Sequence, residues 1–480
     1  MPQFSSFPLP FWLSAAALVA LAILSWNQRE SSLRVPMLMV LLTVAAWYVG
    51  DVLYNDYSAY LDEMGAAPLA AAWWEVLWFL VAFGVLAPWV HRSLNRKFLG
   101  KPSNLLSLVY YGGVESNRFQ GQLDMICRFL IVIWVALMAV ALVRVDFDFQ
   151  GLFMPYFGEK ADPWARARLG SGYDSLLAAA GYFQIALSAA FGVLAALSFR
   201  PFTFSASLII SLLMLPSYIF DRTRSVILAT LLPGFFAFVL MRLRAGFIVR
   251  VAILALGFFA VEGWFKFVIE NRTGNTIAAA FYQGVHSGEA GSEKVKHFGL
   301  NMLEELGLIN SYLMAGSYHP SWGENYFAEL VNPIPRVLWK NKPMIGIDYA
   351  IARGQKLDDT AADQAGVGAT ISTGMIGQGV INFGRILGPV AAALLISIWT
   401  ALLARQDLLA AEPGRLFLYA IGLALTFNMG RDITLLVVYP FCFGYLLLLA
   451  AKYWSQPAQG GSRKAGRNRP AAVNKSARRP

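Results

Sequence analysis

Apolar residues along this chain run in blocks close to the length, about 20 residues, that a helix needs to cross the hydrocarbon of a bilayer. Blocks near 9–26, 36–54, 68–90, 122–143, 174–198, 203–220, 225–241, 248–268, 387–404, 415–430 and 433–451 predict eleven membrane-spanning helices, of which the one at 415–430 is short. No basic residue precedes the first block, and Gln3 and Ser5 lead into it. A secretory signal peptide begins with a positive region, so the first block reads as a retained helix. Between the eighth and ninth blocks lies one long interruption, and no internal repeat of fixed period is visible. The pattern therefore predicts an all-α polytopic integral membrane protein with about 11 transmembrane helices. Its parts are an N-terminal bundle of about eight helices over 1–268, a large partly helical loop domain over 269–386, C-terminal spans over 387–452, and a basic tail over 453–480.

Composition fixes the solvent. Hydrophobic residues make up 57% of the 480 residues and charged residues 14%, with a mean hydropathy of +0.52. Soluble domains average about 25% charged and about 45–50% apolar residues. This chain cannot cover itself with polar surface, which excludes a soluble enzyme and a disordered or fibrous chain. The two cysteines, Cys127 and Cys442, both lie in apolar stretches and offer neither a disulfide framework nor a thiolate metal site, and four histidines leave little room for a cluster. No cofactor and no metal are expected.

Charge then orients the bundle. With the N-terminus outside, the inner loops collect Arg29, Arg34, Arg92, Arg96, Lys97, Lys101, Arg118, Arg200, Arg242, Arg244, Arg250, Arg405 and Arg415. The tail adds Lys452, Arg463, Lys464, Arg467, Arg469, Lys475, Arg478 and Arg479, while the opposite side holds Asp56, Asp62, Glu63 and the long segment. The bias of Lys and Arg toward the cytoplasm thus predicts N-terminus out, C-terminus in, and an extracytoplasmic loop domain. Much of the net charge of +10 is topological, with the tail set against anionic lipid, and nucleic acid is not an expected partner.

Some arginines defy that bias. Arg222 and Arg224 sit in a tight loop between two spans; Arg431 ends the tenth span; Arg272, Arg336, Arg353 and Arg385 lie in the long segment. Arginine at a membrane boundary is costly and marks a function or a pairing need, and its fork holds phosphate oxygens two at a time. Such a group suits a pyrophosphate. The plainer reading is local pairing, Asp221 with Arg222 and Arg431 with Asp432, or snorkelling to headgroups. Apolar residues at helical spacing (Phe298, Met302, Leu303, Leu306, Ile309, Leu313) follow, a stripe for the membrane surface or the domain core. Then comes a stretch dense in special residues, Tyr318, His319, Pro320, Ser321, Trp322, Gly323, Glu324, Asn325 and Tyr326. Aromatic rings beside carboxylates and amides suit a pyranose, which presents an apolar face and hydroxyls; aromatics also belt membrane interfaces. A Pro-rich loop presents Arg336, Lys340 and Lys342 around Trp339 on an extended scaffold. The glycines at 366, 368, 374, 377 and 379 permit close backbone approach, either with N–H groups facing an anion or with a short helix lying flat. No Walker loop, dinucleotide fingerprint or HExxH is present.

The run Pro-x-Pro-Arg-x-x-Trp-x-x-Lys-Pro at 333–343, followed by the Gly-rich stretch into Asn382, Phe383 and Gly384 and then a span, resembles the Wzy-type polymerases of bacterial O-antigens and capsules. Motif-level likeness covers about 320–390, with Arg222, Arg224 and Arg431 matching by position. Gln378 departs from the pattern, where relatives often carry glutamate. The resemblance implies a glycosyltransferase of the inner membrane that joins undecaprenyl-pyrophosphate-linked oligosaccharide units, lipid pyrophosphate leaving, with a chain-length regulator as a possible partner. Joined to the reading of the residues themselves, it points to pyrophosphate binding by Arg222, Arg224, Arg336, Arg353 and Arg431, chemistry by Arg336 with His319 or Glu324 as the base (Asp51 and Glu262 being further carboxylates with a structural reading), and sugar stacking by Trp322, Tyr326 and Trp339. An O-antigen ligase of the same superfamily shares this architecture. A flippase or transporter of lipid-linked sugars is the rival of another class, and needs cations inside the bundle, where Arg128 is almost alone.

Overall fold

The computed structural model describes residues 7–55, 57–101, 103, 115–155, 161–164, 174–219, 224–243, 301–343, 372–409, 413–431 and 435–454, with further positions at 246, 248–250, 252–254, 256, 257, 260, 263, 349, 352 and 433. Among the described residues the regular structure is helical, with no strand. In chain order the helices are α1 (Leu9–Trp26), α2 (Ser31–Val44), α3 (Tyr57–Met64), α4 (Ala66–Leu94), α5 (Asn117–Arg144), α6 (Phe149–Phe153), α7 (Asp174–Leu197), α8 (Pro201–Ile219), α9 (Arg224–Ala237), α10 (Met302–Met314), α11 (Glu324–Val331), α12 (Gly374–Leu408), α13 (Pro413–Asn428) and α14 (Leu435–Trp454). The α2 helix runs on through a π turn, Ala45–Val49, into the short helix Gly50–Tyr54.

Among the described residues seven stretches are long and apolar enough to cross a membrane: α1, Ser31–Leu53, α4, α5, Leu176–Leu197 within α7, α8 and α12. Shorter apolar helices occupy Val226–Arg242, Gly414–Asn428 and Val437–Tyr453. The expected span at 248–268 falls largely outside the described residues. The surface matches a lipid solvent. Along α4, Trp74, Trp78, Val81, Val85 and Trp89 form a helical stripe that stays 44–68% exposed. Water would penalise so long an apolar stripe.

The α4 and α12 helices pack against each other along their lengths, and α10 lies across both. The α10 stripe was expected on a membrane surface or a domain core. It is instead wedged among the spans, with Met302 through Asn310 all buried, Glu304 and Glu305 included. Burial of its first turn is possible because a carboxylate on another helix caps it. Asp51 accepts from the Leu303 and Glu304 amides at 2.8 and 3.1 Å, two of the N–H groups that every helix start leaves without a partner. The Asn55 amide at 2.7 Å and the Tyr60 hydroxyl at 2.8 Å donate to its other oxygen. Burial and this carboxylate raise the Tyr60 phenol well above its ordinary pKa, keeping it a neutral donor.

The α12 helix is two arms. Gly384 has φ +75° and ψ −179°, a conformation almost confined to glycine. The first arm folds back on the second: a Cβ on Gly388 would stand 2.6 Å from the Gly379 backbone, although residues nine apart in a straight helix are separated by about 13 Å. The span read from sequence at 387–404 is the second arm.

Candidate functional site

One end of the bundle gathers the start of α10, the first arm of α12, the end of α13 and the stretch 317–343. That stretch is fastened to the folded-back arm by one asparagine. Asn382 Oδ1 accepts from Ser321 Oγ at 3.2 Å and from the Tyr326 amide at 3.3 Å, while its Nδ2 donates to the Gln378 carbonyl at 2.8 Å. The Ser321 amide donates to the Ile381 carbonyl at 3.0 Å, and the Tyr326 ring lies 6.2 Å from that of Phe383.

On this clip sits a turn with three exposed side chains, His319, Trp322 and Glu324. Trp322 has φ +51° and is 72% exposed. A bulky non-glycine residue in the left-handed region is strained, and strain of this kind clusters at functional sites. Gly323, at φ +94°, follows and begins α11. His319 and Glu324, one on each side, are exposed. Tyr326 is half-buried.

The Pro-rich loop is pinned from within. Lys342, expected to present its charge, is buried at 6% exposure, and its ammonium donates to the carbonyls of Asn332 and Ile334 at 2.8 and 2.9 Å. The other two cations of the loop remain outside. Arg336 is exposed, its Nη1 donating to the Lys340 carbonyl at 3.3 Å. Trp339 packs its ring 6.2 Å from Phe327 of α11.

Gln378, the departure from the motif, is buried between two partners. Its Nε2 donates to Glu329 Oε1 at 3.1 Å, and its Oε1 accepts from the Ile433 amide at 3.0 Å. The carboxylate of this locality thus comes from α11, and a neutral amide at 378 is what lets it sit there. Nearby, Arg431 is half-buried, its Nε donating to Ser372 Oγ at 3.0 Å and its carbonyl accepting from the Gly374 amide at 3.0 Å. The Ile376 amide donates to the Tyr48 hydroxyl at 3.1 Å. These N–H groups of the glycine stretch are spent inside the protein rather than turned to an anion. Gly377 and Gly379 serve close packing, against Ile309 and Gly388.

Arg222 and Arg353, with Gly366 and Gly368, lie outside the described residues, as does the side chain of Arg224. The convergence of the arginines is therefore a matter for the proposal below. Arg128 is not a lone cation among the spans: it pairs with Asp124 at 3.2 Å, 64% exposed, and covers the Phe202 ring at 4.7 Å. Among the described residues no group of His, Cys, Asp and Glu has the arrangement of a metal site.

Sequence reasoning passed over Glu75. Its Oε2 accepts from Asn310 Nδ2 at 2.8 Å, and its Oε1 lies 3.4 Å from Arg385 Nε. The carboxylate is 3% exposed and the arginine 43%. Together with Trp74, Trp78 and Ile386 they line an open groove of about 660 Å³. A single glutamate inside an otherwise apolar span was the available signal. Comparison with known proteins finds no matching family model, no matching curated protein and no matching solved structure.

Proposed function

We propose that this protein is a glycosyltransferase of the bacterial inner membrane that polymerises undecaprenyl-pyrophosphate-linked oligosaccharide units into an O-antigen, capsule or exopolysaccharide at the outer face. In this reading the N-terminus faces out, the C-terminus lies in the cytoplasm, and the residues at 317–343 sit on the outer side. The growing chain is the donor. A hydroxyl of the incoming unit attacks its anomeric carbon, the new C–O bond forms as the bond to the lipid pyrophosphate breaks, and the pyrophosphate leaves with the electron pair.

The observation that carries the reading is the turn at 319–324. An exposed tryptophan held in a strained backbone, with an imidazole and a carboxylate beside it, is clipped to a folded-back membrane helix. An indole of this exposure, set in a strained turn beside polar side chains, suits stacking on a sugar. Arg336 stands exposed on the adjoining loop. It stabilises the charge that builds on the departing pyrophosphate, together with Arg222, Arg224, Arg353 and Arg431 as further pyrophosphate contacts. Tyr326 and Trp339 complete the sugar-binding wall.

The test is a gel of surface glycan from cells lacking the gene, carrying it, or carrying Arg336→Ala at equal protein level. The reading expects a ladder only with the intact gene and single repeat units otherwise. Long polymer that is made but no longer joined to its final carrier identifies a ligase. An unchanged ladder refutes both.

A further inference from the structure

We propose that Glu75 is the catalytic base of the polymerisation step, taking the proton from the acceptor hydroxyl in the groove beside Arg385; this rests on the function proposed above. Four observations lead to it. First, Glu75 is buried in a span yet borders an open groove of about 660 Å³. A carboxylate at such a position is costly and marks function unless its needs are fully met.

Second, its needs are not fully met. The Asn310 amide serves Oε2, but Oε1 has no hydrogen-bond donor beyond the loose approach of Arg385 Nε at 3.4 Å. The adjacent Asn310 Oδ1, also buried, has no donor either. Of these two residues Glu75 lines the groove, and a ligand there that brings an O–H group supplies the donor its Oε1 lacks. A saccharide hydroxyl has that chemistry.

Third, Glu75 lies in the half of its span that the proposed topology places toward the outer face. The α4 helix has 29 residues, about 43 Å at 1.5 Å each, against about 30 Å of hydrocarbon. Trp74 and Trp78 flank Glu75 in the half of α4 nearer its start. With the excess shared between the two ends, Glu75, nine residues from the start of α4 and so about 13 Å along it, lies about 7 Å inside the hydrocarbon boundary, where a sugar reaches it through the groove.

Fourth, the arginine opposite is placed to be moved. Arg385 follows the Gly384 turn, is 43% exposed, and meets Glu75 through Nε at a loose 3.4 Å. The phosphate of an arriving acceptor draws the guanidinium outward and uncovers Oε1. The hydroxyl proton then passes to Oε1 as its oxygen attacks the donor carbon, and the pyrophosphate takes the electron pair of the broken bond. In this scheme His319 and Glu324 remain on the sugar-binding turn.

The experiment reconstitutes the full chain in bilayers with a synthetic polyprenyl-pyrophosphate-linked repeat unit and follows elongation at varied unit concentration. Glu75→Gln keeps the shape and a hydrogen-bonding oxygen. The proposal expects its kcat to fall about 100-fold or more with KM within threefold and photocrosslinking of the lipid-linked unit retained. If Glu75→Gln accumulates poorly, Glu75→Asp retains the charge but withdraws it by about 1 Å; the expected loss is at least about tenfold in kcat, again with KM held. A kcat within threefold of wild type for either variant overturns the base role, and so does a change confined to KM. Wild-type protein that elongates nothing refutes the polymerase reading, and the base role falls with it; active wild type with an active Glu75→Gln refutes the base role alone.

Discussion

Asp51→Ala releases α10 from the bundle. The carboxylate accepts four hydrogen bonds at 2.7–3.1 Å, from Asn55, Tyr60, and the Leu303 and Glu304 amides. Asn55 and Tyr60 have other directions in which to turn, but two backbone N–H groups at a buried helix start do not. Each amide left without an acceptor costs about 1–3 kcal/mol, and each bond to a charged group contributes about 1.5–3 kcal/mol net. Part of this is offset because the carboxylate no longer has to be buried. The balance is about 3–5 kcal/mol, concentrated on the docking of α10 rather than spread over the fold. Asp51→Asn keeps one acceptor oxygen but turns an N–H₂ toward the donors of Asn55 and Tyr60, for a loss of about 2–3 kcal/mol. Hydrogen exchange in bilayer discs reads this directly. Amides 303–310 should exchange about 10²- to 4 × 10³-fold faster in Asp51→Ala, since about 1.4 kcal/mol is a tenfold change, while those of α5 hold near the wild-type rate. Exchange within threefold of wild type across 303–310 would refute the trans-cap reasoning.

Other perturbations separate structure from chemistry. Trp322→Ala, at a side chain 72% exposed, should change thermal stability by no more than about 0.5 kcal/mol while abolishing the glycan ladder; an unchanged ladder removes the indole from the site. Lys342→Met strips the donors from two loop carbonyls, costs about 1–3 kcal/mol, and should open 332–343 to protease cleavage that wild type resists. Gln378→Glu sets a second carboxylate about 3 Å from Glu329 and should destabilise by about 2–4 kcal/mol, read as a lowered melting temperature in detergent; a neutral outcome would mean the two side chains are not in contact. Gly384→Ala, at φ +75°, should cost about 1–3 kcal/mol and loosen the first arm of α12, visible as faster exchange at 376–382.

The membrane helices were legible because each is a contiguous property of the chain. Expected spans at 9–26, 68–90 and 203–220 correspond to Leu9–Trp26, Ala66–Leu94 and Pro201–Ile219. The ends differ by a few residues where amphipathic turns extend the helix beyond its apolar run. What failed to show was everything fixed by distant partners. The burial of α10 depends on Asp51, some 250 residues away in sequence, and its apolar stripe alone does not distinguish a surface from a wedge. The inward turn of Lys342 depends on two carbonyls that a loop offers only once folded. The reversal at Gly384 was hidden in a run of glycines with several readings. Of the candidate site, the turn at 319–324 and Arg336 were visible as unusual residue types along the sequence. Glu75 was missed because its partners Asn310 and Arg385 come from two other segments, and only the fold brings the three together.

The most direct test of the central claim uses the purified chain alone, reconstituted in bilayers with a defined polyprenyl-pyrophosphate-linked repeat unit, with products resolved by length and released lipid pyrophosphate counted. The account predicts a ladder of two or more units, with one lipid pyrophosphate released per bond formed, and neither product with Arg336→Ala. A wild-type protein that binds the unit, moves it across the bilayer or leaves it unaltered, with no pyrophosphate released, would contradict it.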